Sequence, residues 1–185
     1  MVGVSQDLEL ARFAEGRSPA ASETVIWKPR VLKFTMTTYL ANNAAPDGLV
    51  TSARCVVLRE GEVLVVTDRD GVRHIVPGGR REPGETLVET AQREVREETG
   101  LDVIRLEQVG VMLYEHLTPC PRDYRYPYPH FMQVVFVATA LAGVDVVCDD
   151  EWAASAGFMD AKSARKIVPS GQKSLLDAAL RTIHD

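Results

Sequence analysis

Residues 86–101 constrain this chain more than any other stretch. Thr86 is followed three positions later by Glu89, the reciprocal pairing that opens a helix. Leu87, Val88, Ala91 and Val95 recur at helical spacing and predict a buried stripe. Gly100 stands where a helix closes in the left-handed conformation, and Leu101 can pack back beyond it. A helix over 87–99 must therefore lie on an apolar layer. On this helix Glu94, Glu97 and Glu98 stand at i, i+3 and i+4, which puts three carboxylates on one face. Such crowding costs about a few tenths of a kcal/mol per pair. Arg93, four residues before Glu97, supplies one countercharge for three. Hard divalent cations take oxygen ligands of this kind, and Gly78 and Gly79 would let backbone approach the same place. A solvated acidic face is the ordinary alternative at this spacing taken alone.

The flanking residues supply the layer. Residues 5–15 read as a short helix with Leu8, Leu10, Ala11 and Phe13 as its apolar positions, and 16–22 as a linker. Residues 31–40 alternate, with Leu32, Phe34, Met36 and Leu40 on one side, and predict a half-buried strand. Asn42 to Gly48 reads as a boundary. Ala53–Leu58 and Val63–Thr67 predict a hairpin about Glu60-Gly61-Glu62, and Val72–Val76 a short strand stopped by Pro77-Gly78-Gly79. Long strands are expected over 103–117 and 131–142, with helices at 161–166 and about 172–183. Leu175, Leu176, Ala179, Leu180 and Ile183 form the stripe of the last helix. Many strands without strict βαβ alternation predict an α+β protein, a mixed sheet covered by helices. Residues 1–48 read as an N-terminal extension and 49–185 as the main domain. The extension's strand either extends the sheet or pairs across a homodimer.

Composition narrows the function. With 26 acidic and 21 basic residues the net charge is −5, which argues against a nucleic-acid or membrane-surface binder. It does not argue against a small phosphorylated ligand, because a bound divalent metal inverts the local charge. Three cysteines without Cys-x-x-Cys spacing suggest neither a disulfide framework nor a zinc site. The first twenty residues carry charges throughout and do not read as a secretory signal. The longest apolar stretch, 131–143, contains Gln133 and is too short to span a bilayer. The default is a soluble cytoplasmic protein.

The full spacing at 79–101 outweighs the bland reading of the acidic face. It fills every fixed position of Gly-x5-Glu-x7-Arg-Glu-(apolar)-x-Glu-Glu-x-Gly-(apolar) with Gly79, Glu85, Arg93, Glu94, Val95, Glu97, Glu98, Gly100 and Leu101. Chance would fill them on the order of 10⁻¹⁰ times per window. The segment resembles the Nudix box, and the order of strands and helices extends the likeness to about residues 50–185. The resemblance implies a Nudix-type α/β/α sandwich with a mixed β-sheet. It implies hydrolysis of a diphosphate linkage in a nucleoside diphosphate joined to another group, with Mg2+ as cofactor and Mn2+ as a substitute. By resemblance, Glu94, Glu97 and Glu98 are the metal ligands, assisted by the Gly78 carbonyl. Arg93 and Glu85 form an ion pair that orients the helix carboxylates. Glu94, or a carboxylate from a later loop, takes the proton of the attacking water; Glu151 is the first choice there and Asp150 the second.

Outside the box, four of the five tyrosines fall in the loop from Tyr114 to His130. Tyr124, Tyr126, Arg122 and Arg125 of that loop, with Arg80 beside the glycines, are candidates to stack on a base and hold phosphate or ribose. An ordinary packing or dimer-contact loop is the alternative. His74 stands where many family members carry Trp, which leaves the substrate open among nucleotide sugars, dinucleotides, nucleoside triphosphates and coenzymes. A regulatory nucleotide-binding domain without turnover is the second reading. Such domains usually lose box carboxylates, and none is lost here. An isomerase of diphosphates would need a reactive cysteine, and none lies in the box.

Overall fold

One mixed sheet organises the protein. The computed structural model describes residues 2–27, 31–43, 45–148 and 153–184. In chain order the elements are α1 (Val2–Ala14), β1 (Ala21–Trp27), β2 (Leu32–Leu40), β3 (Val50–Arg59), β4 (Glu62–Asp68), β5 (Arg73–His74) and β6 (Gly78–Arg80). They continue with α2 (Leu87–Thr99), β7 (Val103–His116), β8 (His130–Ala140), β9 (Ala153–Asp160), α3 (Ala161–Ile167) and α4 (Ser170–His184). The strand order is β1-β2-β7-β8-β3-β4-β5, with β6 joined to β3 and β9 to β4. β3 and β8 run parallel at the centre, and the other pairs are antiparallel.

The central strands need cover on both faces, since Phe131 to Ala138 of β8 is buried throughout. Phe13 of α1 and Ala91 and Val95 of α2 close one face over Ala53, Cys55, Val57 and Val134. Ala164 of α3 and Leu175, Leu176 and Ala179 of α4 close the other over Val56, Leu58, Val135 and Val137. This is the expected α/β/α sandwich.

Several local expectations change. In α1 Leu8 and Ala11 are exposed, and Phe13 is the buried contact, its ring 5.6 Å from Tyr39. Residues 21–22 belong to β1 rather than to a linker, held by pairing with β2. In β2 Tyr39 is buried and Leu40 exposed, because both faces of the sheet are covered. Val88 of α2 is exposed and Thr90 takes its place in the core. Ile183 of α4 is also exposed. The strand after Val72 is only Arg73–His74, and Gly78–Arg80 does not stop the chain's strand pairing but pairs with β3. The strand at 31–40 extends the sheet by pairing with β7 of its own chain. Among the described residues, no helix is long and apolar enough to cross a membrane.

The backbone of β7 must pass close under α4. A Cβ at Gly110 would stand 2.4 Å from Leu175 Cδ2 and 2.9 Å from the Tyr39 carbonyl. Gly110→Ala is expected to destabilise the protein by about 1–3 kcal/mol through overpacking. A lower urea midpoint with an unchanged m-value is the readout; an unchanged midpoint would contradict the close packing.

Candidate active site

α2 begins and ends on local signals. The Thr86 hydroxyl accepts the Glu89 N–H, the Glu89 carboxylate accepts the Thr86 N–H, and Gly100 closes the helix at φ 71°. The helix docks across β3 and β6 and sets its acidic face beside Gly78 and Gly79. β6 lies close against β3: a Cβ on Gly78 would stand 2.3 Å from the Ala53 carbonyl oxygen, and its φ of 138° also favours glycine. A Cβ on Gly79 would stand 2.4 Å from Glu94 Oε2. The two glycines make a cradle that any side chain would fill.

Arg93 ties this corner together. Its Nε donates to Glu85 Oε1 at 2.7 Å and its Nη2 to Glu85 Oε2 at 3.0 Å, a bidentate pair. Its Nη1 donates to Glu94 Oε1 at 2.9 Å and to Glu97 Oε2 at 3.0 Å. Its Nη2 also reaches the Arg80 carbonyl at 3.0 Å, which fixes the end of β6 to the helix. Glu85 further accepts the Glu82 N–H and the Thr90 hydroxyl. The Arg93 guanidinium, aided by those donors, holds the Glu85 carboxyl down to about 2. The same carboxylates push the Arg93 pKa up. Glu94 behaves oppositely: burial against the glycine cradle raises its pKa despite Arg93.

Glu98 accepts the Gly78 N–H at 3.3 Å through both of its oxygens. Glu94, Glu97 and Glu98 therefore share a helix face, but the first two meet at Arg93 Nη1 whereas Glu98 turns to Gly78. Among the described residues, no three acidic, histidine or cysteine side chains converge on one point. The donor set nonetheless suits a hard divalent cation: three carboxylates share one helix face, two of them against the glycine cradle, and one arginine cannot neutralise them all. Glu97, with a side chain 57% exposed, has room to leave Arg93 for such an ion. Glu151 and Asp150 lie outside the described residues.

The loop candidates divide. Arg80 lies over the Tyr126 ring at 5.1 Å, and its Nη2 donates to the Arg125 carbonyl at 3.1 Å. Tyr126 continues into an aromatic wall with Phe131 (5.0 Å), Tyr114 and Trp27. Tyr124 instead turns into the loop's interior against His116 at 4.6 Å, where burial pushes its phenol up. The Arg122 and Arg125 side chains are exposed. His74 is occupied locally, its Nε2 3.0 Å from Asp68 Oδ1. Cys55 is buried, and desolvation raises its thiol pKa, the reverse of activation.

Two residues of the site were not among the sequence candidates. Arg54 of β3 donates from Nε to Gln133 Oε1 at 3.2 Å and from Nη1 to the Val76 carbonyl at 3.3 Å. Gln133 of β8 is 2% exposed and also accepts from the Tyr114 hydroxyl at 3.4 Å. Burial raises the Tyr114 pKa to about 12, so that hydroxyl remains a donor. A signal existed: Arg54 is the one charge within the apolar strand 53–58, and Gln133 the one amide within 131–138.

The sandwich, the helix with its cradle and the Arg93 hub define a class. The NUDIX domain family model matches residues 48–181, and the chain belongs to the Nudix hydrolase family. Among similar proteins, an ADP-ribose pyrophosphatase of Methanocaldococcus jannaschii is 28% identical over 159 residues, covering 84% of this chain and 83% of its own. The solved NUDIX domain of Shewanella oneidensis NrtR, complexed with ADP ribose, superposes with a TM-score of 0.56 at 15% identity, covering 73% of this chain and 88% of that one. The dihydroneopterin triphosphate pyrophosphohydrolase of E. coli gives 0.54 at 19% identity, covering 72% and 95%.

Proposed function

We propose that the protein is a divalent-metal-dependent hydrolase of a nucleoside diphosphate linked to a second group, with ADP-ribose-type compounds the first class to assay. The observation that carries this reading is the acidic face of α2 set against the Gly78–Gly79 cradle, with every box carboxylate present. The likeness over most of the chain to an ADP-ribose pyrophosphatase supports the substrate class.

Glu94, Glu97 and Glu98, with the Gly78 carbonyl, would hold the cation, Mg2+ or Mn2+ in its place. Bound there, it would offset the phosphate charge and acidify the attacking water. The chain supplies the rest. Glu94 is half-buried, and its raised pKa suits it to accept the proton of that water. Arg93 keeps Glu94 and Glu97 from splaying and carries the Glu85 tie that anchors the loop before the helix. Tyr126, with Arg80 over its ring and Phe131 stacked at 5.0 Å, is the candidate contact for a base once Arg80 moves aside. The exposed guanidinia of Arg122 and Arg125 are the loop's candidate phosphate or ribose contacts, whereas Tyr124, turned into the loop's interior, supports the loop rather than the substrate. Glu151, with Asp150 as runner-up, is a second candidate proton acceptor.

A panel of nucleotide sugars, dinucleotide polyphosphates, nucleoside triphosphates and coenzymes, run with MgCl2 and with EDTA, tests the proposal. Release of nucleoside monophosphate from at least one compound, lost in EDTA, is expected. Tight binding of one compound without turnover would replace this reading with a regulatory, ligand-sensing one.

A further inference from the structure

We propose that Arg54 is a phosphate anchor for the substrate, a specificity-determining contact separate from the carboxylates of α2. The inference rests on the proposed function above and names a residue of that site outside the box.

Arg54 sits half-buried in β3, in register with Gly78 of β6. Its Cα would be 2.8 Å from a Cβ on Gly78, so it adjoins the cradle directly. Among the described residues, no carboxylate comes within ion-pair distance of its guanidinium. Arg81, Arg93 and Arg96 do have such partners, in Asp47, Glu85 and Asp102, whereas Arg80, like Arg54, bonds a carbonyl instead. A partly desolvated cation without a countercharge is costly to keep. This one is also held in place. Gln133, buried between β3 and β7, spends its carbonyl oxygen on Arg54 Nε and the Tyr114 hydroxyl, and the Val76 carbonyl takes Nη1. A guanidinium carries five N–H donors, so three are left over from these two bonds. Both acceptors are neutral, and the fork keeps its full charge. A fixed, uncompensated guanidinium suits an oxyanion that arrives with a ligand.

Its position fits a diphosphate. Arg54 alternates along β3 with Val56 and Leu58, which face the same side of the sheet as Tyr114, Tyr126 and Phe131. Its Cα adjoins Gly78, whose N–H is accepted by Glu98 of α2 at 3.3 Å. Arg54 thus stands between the aromatic wall, which it reaches through Gln133 and Tyr114, and Gly78, which Glu98 of the acidic helix holds through its N–H. A nucleoside diphosphate derivative presents base, phosphate and metal-binding phosphate oxygens in the same combination.

Titration of the full chain with inorganic pyrophosphate in EDTA tests this, alongside steady-state kinetics on the best compound of the panel. Two variants are compared with the wild type. Arg54→Gln removes the charge. Gln133→Glu keeps the shape of the buried amide but gives the guanidinium a carboxylate of its own. Both are expected to weaken pyrophosphate binding about 10- to 100-fold. Both should raise KM by a similar factor and change kcat little, the mark of a contact made equally in ground and transition states. Melting temperatures identify the folded variants, and if Arg54→Gln fails to fold, Gln133→Glu decides. Folded variants that bind pyrophosphate like the wild type, or a wild type that does not bind it in EDTA, overturn the proposal. The two readings fail separately. Lost pyrophosphate binding in the variants of a protein that hydrolyses nothing sinks the function and keeps the anchor. Turnover with unchanged KM in the variants does the reverse.

Discussion

Glu98→Gln is expected to cut magnesium-dependent kcat/KM about a thousandfold while leaving the melting temperature nearly unchanged. The substitution removes one negative charge and keeps one carbonyl oxygen. That oxygen can still accept the Gly78 N–H, a contact that Glu98 makes now. The Thr86 cap lies about three turns away and the Gly100 cap two residues on, and neither uses the Glu98 side chain. Loss of activity would therefore report the charge and not the fold. Glu97→Gln should behave alike, with an even smaller structural effect because its side chain is largely exposed. Initial rates across a MgCl2 titration, paired with thermal melts, give both quantities. Near wild-type rates at saturating magnesium in both variants would remove the acidic face from the reaction.

Arg93→Gln is expected to cost about 10- to 100-fold in turnover, the usual scale for a residue that orients metal ligands. It should also change the acid limb of stability. Glu85 is held down to about 2 in the folded protein, mainly by Arg93, whereas an unfolded glutamate titrates near its ordinary value of 4.5. The folded pKa is the lower one, so this carboxylate's contribution is complete above about pH 4.5. It is lost as the pH falls from there toward 2. Without Arg93, the Glu85 carboxyl returns toward the ordinary range and that loss shrinks. Urea midpoints measured from pH 6 to pH 2.5 should fall less steeply in Arg93→Gln than in the wild type. Parallel profiles would show that Arg93 does not set the Glu85 charge. The conservative Arg93→Lys is expected to restore little, because a lysine cannot supply the bidentate fork that spans Glu85 and still reach Glu94 and Glu97.

Legibility in the sequence followed the range of the interactions. α2 spans Leu87–Thr99, the stretch its caps predict, because a capping box and a left-handed glycine act within a turn. The Arg93–Glu97 spacing was likewise readable as an i, i+4 pair. The second Arg93 Nη1 contact, to the adjacent Glu94, was not, since neighbours on a helix seldom face each other. β1 and β9 were missed for another reason. Ala21–Thr24 and Ala153–Gly157 are rich in small residues and carry almost no alternation of their own. They are strands because β2 and β4 offer them complete ladders. Arg54 and Gln133 lie 79 residues apart, and only the parallel pairing of β3 with β8 brings them together. Each broke an apolar run visibly, but nothing local said that one break answered the other.

The first two strands carry a consequence for how far this domain can be trimmed. The family match begins at residue 48, which invites treating everything before it as an appendage. Yet β2 covers the hydrogen-bonding edge of β7 over seven residue pairs, and β1 in turn shields β2. Trp27 at the end of β1 packs on Phe34, Tyr114 and Phe131, the same wall that Tyr126 extends. Shortening the protein to its recognisable core would uncover a long, apolar strand edge, the kind of surface on which chains add to one another. It would also strip one side from the ring stack beneath the candidate base platform. By this measure the smallest independent unit is set by the sheet, and it is larger than the stretch that the family model matches.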